Sequence, residues 1–167
     1  NYFMTNNYSR IISYLNSKRN ISENDKIKFQ YVTYQKGVGE FNRGNFKSSI
    51  KYFDLSKKYN LDSDIYIKSS LNKSEALFIG NLYKEAVNEL LGVINLNMNV
   101  ELREKIFLQL GYSYFNLNEY LNASKYLKNY LDSKDNKFSS KDIDPILRLA
   151  DSYYASKNFN SSIKYYN

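Results

Sequence analysis

Residues 107–131, FLQLGYSYFNLNEYLNASKYLKNYL, decide the fold. In the first half Phe107, Leu110, Gly111 and Tyr114 recur at the spacing of one helix face. In the second half Tyr120, Ala123, Leu127 and Leu131 do the same. Between them stands Asn118-Glu119, and Asn tolerates the left-handed conformation that ends a helix and reverses the chain. The stretch therefore predicts two antiparallel helices joined by a tight turn.

Moving outward, the same pattern returns along the chain. An aromatic followed three residues later by a small residue occurs at Phe46–Ser49, Tyr83–Ala86, Tyr120–Ala123 and Phe159–Ser162, with an imperfect copy at Tyr8–Ile11. Successive copies are 38, 37, 37 and 39 residues apart. Eight residues before the last member of each pair sits another aromatic: Phe3, Phe41, Phe78, Phe115 and Tyr154. The constant offset predicts a rigid turn inside each unit, with the variable length lying between units. The turn dipeptides read Asn6-Asn7, Gly44-Asn45, Asn81-Leu82, Asn118-Glu119 and Lys157-Asn158, of which Lys157 is the odd one. The sole Pro, Pro145, follows Asp144, a pairing that suits an N-cap and first helical residue.

Composition narrows the chemistry. The 167 residues carry 24 basic and 17 acidic groups, a formal charge of +7, with no Cys, His or Trp. Without Cys there is no disulfide framework or thiol nucleophile. Without His the commonest metal ligand and general base at neutral pH are missing. Six Gly and one Pro argue against sheets joined by tight turns. The 23 Asn, 19 Lys and 18 Tyr reflect a gene rich in A and T, a bias that also scatters Asn-x-Ser by chance at Asn7, Asn20, Asn72, Asn122 and Asn160. The longest mostly apolar run, Leu90–Ile94, is far too short to span a bilayer.

These residues resemble the tetratricopeptide repeat, whose pattern is W-x2-L-G-x2-Y, then A-x3-F, over 34 residues. One unit reads Phe107-x2-Leu110-Gly111-x2-Tyr114, then Ala123-x3-Leu127; the last reads Ile146-x2-Leu149-Ala150-x2-Tyr153, then Ser162-x3-Tyr166. Gly37, Ser74, Gly111 and Ala150 stand where two helices must approach closely. The units depart from the family by three to five extra residues and by lacking its closing Pro. Lys36 and Lys73 also take the usual Leu place, and Thr33 and Ser70 the usual Trp place. First helices there are expected to start earlier, using Ile27, Phe29, Ile65 and Ile67. The resemblance implies an all-α, right-handed superhelical solenoid of antiparallel helix hairpins. The expected divisions are a partial unit 1–26, units about 27–63, 64–100 and 101–141, and a truncated unit 142–167. Beginning and stopping inside a repeat, the array is expected to continue in a longer protein or to pair its uncapped apolar ends with another copy.

By the same resemblance, first helices line a concave groove. Its expected lining is Tyr34, Val38, Phe41, Leu71, Phe78, Leu108, Tyr112, Phe115, Leu147, Asp151 and Tyr154. Such a surface, more aromatic than charged, suits a peptide or helix of a partner protein, although rings at this periodicity also serve as packing between repeats. The family's carboxylate clamp needs a Lys and an Asn one turn apart, where this chain has Tyr34 and Val38, then Leu71 and Glu75; Lys105 and Arg148 remain able to hold an acidic group. The expected role is a protein–protein interaction scaffold in a multiprotein assembly, which the long repeat and base composition extend to a bacterial envelope, secretion or motility machine. The alternative is an adaptor that meets RNA or anionic membrane through the second-helix lysines Lys51, Lys125 and Lys164, with Lys57, Lys58, Lys84 and Lys128 nearby. A solvated helix face explains those lysines better, since no base-reading motif is present. No phosphate loop, nucleophile with a base, or metal-ligand spacing occurs, so neither catalysis, cofactor nor metal is expected. Nothing in the sequence separates cytoplasm from periplasm.

Overall fold

Four of the described residues hold a left-handed backbone: Gly44 (φ 78°), Asn81 (59°), Asn118 (59°) and Lys157 (63°). Each follows a helix, and at Gly44, Asn118 and Lys157 the chain turns back so that the next helix packs on the one before. At three of them the amide three residues past the helix reaches back five residues, Asn45 to Glu40 (3.0 Å), Glu119 to Tyr114 (2.9 Å) and Asn158 to Tyr153 (2.8 Å). The left-handed residue itself bonds three back, Gly44 to Phe41, Asn118 to Phe115 and Lys157 to Tyr154. This pair of bonds satisfies carbonyls that a helix end leaves open.

The computed structural model describes residues 2–134 and 138–166, with side chains from Asn7 onward. Within these the chain is all-α. Helices run α1 Tyr2–Ser17, α2 Glu23–Asn42, α3 Phe46–Ser56, α4 Ser63–Ile79, α5 Tyr83–Leu91, α6 Val100–Asn116, α7 Tyr120–Asp132, α8 Ile143–Ala155 and α9 Phe159–Tyr166, with one 3₁₀ turn at Ser140–Asp142. The early starts expected for α2 and α4 are present, capped by Ser22 and Asp62, whose side chains accept from the amides of Asp25 and Ile65. Two compact units result, Asn1–Asn81 and Leu82–Asn167.

In the N-terminal unit, Ile12 and Leu15 of α1 and Phe29 and Val32 of α2 form a buried cluster, with Tyr8, Tyr52, Leu55 and Tyr59 packed against it. Gly37 of α2 faces Phe53 of α3 so closely that a Cβ would lie 2.7 Å from the ring. Glu40 staples the turn: its carboxylate, largely buried, takes Lys36 (2.9 Å), Arg43 (2.7 Å) and the Asn45 amide (2.9 Å). Burial alone would raise the Glu40 pKa, but the hydrogen bonds from Asn45 and Lys36 hold it below its ordinary value. The C-terminal unit repeats the scheme. A Cβ on Gly111 would lie 2.6 Å from Leu127 Cγ, and Leu127, Tyr130, Leu131 and Leu149 make its buried cluster.

Two expectations need correction. The turn expected at Asn6-Asn7 is absent, because α1 runs unbroken across it. Asn is tolerated within a helix as well as at its end, and Tyr8, Ile12 and Leu15 keep one helical face against α2. The side chains of Phe3 and Asn6 lie outside the described residues. Asp144 is also not the cap of α8. That helix begins at Ile143, after a 3₁₀ turn in which the Ser139 and Asp142 side chains cap each other's backbone ends. Pro145 still falls in the first turn, where its missing N–H costs nothing.

Candidate partner-binding face

The repeat signal in the sequence has a physical cause that bears on the site. Phe41 meets Phe46 edge-on (5.3 Å, 69°), Phe115 meets Tyr120 (5.6 Å, 79°) and Tyr154 meets Phe159 (5.5 Å, 63°). Each pair clasps the last turn of a first helix to the first residue of the second. Such contacts contribute about 0.5–1.5 kcal/mol beyond burial. The small residue three positions on, Ser49, Ala86, Ala123 or Ser162, is fully buried or nearly so. Phe41, Phe115 and Tyr154 are therefore hinge clasps as well as groove candidates.

In the N-terminal unit, Tyr34, Val38 and Phe41 share one face of α2, while Leu71 and Phe78 share one face of α4. All five are partly buried. The Tyr34 ring lies 6.2 Å from Phe53, and Asn72 Nδ2 of α4 donates to its hydroxyl at 3.4 Å. Glu75, on the same helix between Leu71 and Phe78, has its pKa raised by burial.

The C-terminal unit shows the best-defined part of the face. On α6, Leu108 and Tyr112 are packed against the buried cluster rather than standing free. Arg148 of α8 lies over both the Tyr112 ring (5.0 Å) and the Phe115 ring (5.1 Å). Asp144, one turn before it, accepts from Arg148 Nε at 2.9 Å and from the Tyr112 hydroxyl at 2.6 Å. Burial would raise the Asp144 pKa, yet Tyr112 and Arg148 together hold it below the carboxylate norm. Burial, with Asp144 beside it, pushes Tyr112 well above the ordinary phenol value. Asp151 accepts a hydrogen bond from the Tyr166 hydroxyl. Leu147 and Tyr154 are the open apolar members, 46% and 62% exposed, and Asp151 is exposed between them.

Sequence reasoning placed Arg148 as a cation for an acidic group and Asp144 as a cap. It missed that the two join α8 to the α6 rings. The i, i+4 spacing of Asp144 and Arg148 was the available signal. Among the described residues no group of three or more His, Cys, Asp or Glu side chains could hold a metal ion, and no helix is long and apolar enough to cross a membrane.

No profile of a known protein family matches this sequence, and no curated protein matches it either. Solved structures do. The apo form of RapI superposes with a TM-score of 0.70 at 16% identity, over 84% of this chain. MamA 41-end from Desulfovibrio magneticus RS-1 gives 0.67 at 15% identity, over 98% of this chain and 91% of that one. The MamA RS-1 ArsTM double mutant gives 0.69 at 16% identity, over 98% of this chain and 89% of that one. The chain spans only 41% of the length of RapI. Both are helical-repeat proteins of tetratricopeptide type, and the fold of this chain is all-α of that type.

Proposed function

We propose that the chain is a protein-interaction scaffold that holds a segment of a partner protein against the exposed faces of its first helices. The observation that carries this reading is the make-up of the exposed face of α8. It offers Leu147 and Tyr154 beside an Arg148 already bedded on Tyr112 and Phe115. The exposed residues of the second helices mix Lys51, Lys125, Lys128 and Lys164 with apolar Leu121, Phe159 and Ile163. A largely aromatic face whose charged groups are already held, Arg148 and Asp144 by each other and Tyr112, and Asp151 by Tyr166, is pre-ordered, so little entropy is lost when a partner segment lies on it. Tyr34, Val38, Phe41, Leu71 and Phe78 extend the same reading to the N-terminal unit, and membership of a multiprotein assembly follows as the setting for such a scaffold.

The test is affinity capture from the source organism's lysate, washed at low and high salt, with wild type beside a Leu147→Ser variant. Leu147 is exposed and takes no part in the ring clasps, so the fold should survive. Proteins retained by wild type at high salt and lost with the variant support the reading. Capture unaffected by the variant, or removed by salt from both, overturns it.

One further observation favours a second reading, association with another copy. The last hairpin exposes Ile143, Leu147, Tyr154, Phe159, Ile163 and Tyr166, each by 46% or more, a density of exposed apolar side chains of the kind that contact sites carry. Sedimentation equilibrium decides it: a monomer across the micromolar range removes self-association.

A further inference from the structure

A separate concavity lies at the turn end of the C-terminal unit, with a volume of about 390 Å³. Its lining residues are all exposed or half-exposed, so it is an open concavity at the surface. Asn118 and Glu119 of the α6–α7 turn form one side, with Tyr120 and Leu121 of the first turn of α7; Ala155 and Ser156 at the end of α8 form the other. Leu121 is 75% exposed, the highest value among the large apolar side chains described.

The electrostatics give the pocket a sign. One Glu119 oxygen accepts from Asn122 Nδ2 at 2.8 Å, and among the described residues no Lys or Arg is paired with that carboxylate. The ends of α6 and α8 reach the pocket with their negative poles, at Asn118 and at Ala155–Ser156. The start of α7 brings one opposing positive pole, and Glu119 is the one charged side chain that lines the pocket. A wholly apolar ligand would strip water from Glu119 without replacing it, which is costly. Arg and Lys carry a long apolar stem below a charged head, and both halves find a counterpart here.

We propose that this pocket takes a basic side chain of a partner protein, its methylene stem against Leu121 and Ala155 and its cationic head on the Glu119 carboxylate. The site belongs to the turn edge of the repeat rather than to the first-helix face, and it stands whether or not that face binds anything.

The test titrates the ¹⁵N-labelled full chain with N-acetyl-arginine methylamide and, separately, with N-acetyl-norleucine methylamide, which keeps the stem and lacks the charge. Saturable shifts confined to the amides of residues 118–122 and 155–156 are expected with the arginine probe. Norleucine, or the Glu119→Gln variant, should bind about two- to fivefold more weakly, the scale of a partly exposed ionic contact. Leu121→Ser, at an exposed position, should weaken the arginine probe as well. Equal affinity for norleucine, unchanged affinity in Glu119→Gln, or shifts scattered over the acidic residues without saturation would each overturn the proposal.

Discussion

Two glycines of α2, Gly37 and Gly39, separate the packing argument from simple helix propensity. A Cβ added at Gly37 would sit 2.7 Å from Cδ1 and Cε1 of Phe53, and Phe53 is completely buried. Carbon pairs settle at about 3.5–4.0 Å, so the ring or the helix must give by about 1 Å. Forcing extra volume into a packed core of this sort costs about 1–3 kcal/mol. Replacing Gly by Ala inside a helix returns about 1 kcal/mol. Gly37→Ala should therefore be destabilised by up to about 2 kcal/mol. At Gly39 the new methyl meets only the flexible end of Arg43, at 3.6 Å. Gly39→Ala should gain about 0.5–1 kcal/mol. The two variants, a single methyl each and two residues apart, should differ by about 1–3 kcal/mol, or about 2–12 °C in Tm for a chain of this size. Urea and thermal denaturation followed by circular dichroism measure it. Equal stabilities, or a Gly37→Ala protein above Gly39→Ala, would refute the close approach of α2 and α3.

Other perturbations test other parts of the account. Gly111→Leu carries the same argument into the C-terminal unit, where even a Cβ meets Leu127 at 2.6 Å; it should lose helical signal, and an unchanged melting curve counts against the register. Lys157 holds φ 63°, a conformation costing an ordinary residue about 1–2 kcal/mol, so Lys157→Gly should raise stability by about 0.5–1 kcal/mol in urea. Asp142 is buried and accepts from the Tyr130 hydroxyl at 2.6 Å and from Ser139. The Tyr130 bond is the largest cause of its lowered pKa. A carboxyl depressed on folding stabilises above its unfolded pKa of about 4 and loses that contribution as pH falls through the lower folded value. Tyr130→Phe should thus cost about 1–3 kcal/mol at pH 7, with the gap from wild type narrowing toward pH 3; a gap that is constant with pH would refute the coupling.

Much of the fold was legible because one local device is used repeatedly. The invariant offset between aromatics reflects the edge-on pairs Phe41–Phe46, Phe115–Tyr120 and Tyr154–Phe159, which tolerate no insertion between their members. Gly37 and Gly111 were legible for a related reason, since each lies under a bulky residue of the second helix. The start of the chain was not. Asn-Asn can end a helix or continue one, and the burial of Ile12 and Leu15 against α2 decides between them only in three dimensions. At Asp144 the dipeptide before Pro145 gave a plausible cap, but Tyr130, Ser139 and Asp142 form a capping network one turn earlier. For the candidate face, periodicity says which side chains share a side of a helix. It does not say whether that side meets solvent or another helix, which is why Leu108 and Tyr112 turn inward while Leu147 and Tyr154 stay open.

Partner binding on the first-helix face is the central claim, and site-specific photo-crosslinking in the source cells tests it most directly. Benzoylphenylalanine would replace Leu147 or Tyr154 on α8 and, as comparison, Lys125 on α7 or Lys164 on α9, all four exposed. The account predicts a discrete protein adduct from positions 147 and 154, with little from 125 and 164. Adducts arising only from 125 and 164, or none from 147 and 154 while the protein is folded, would contradict it.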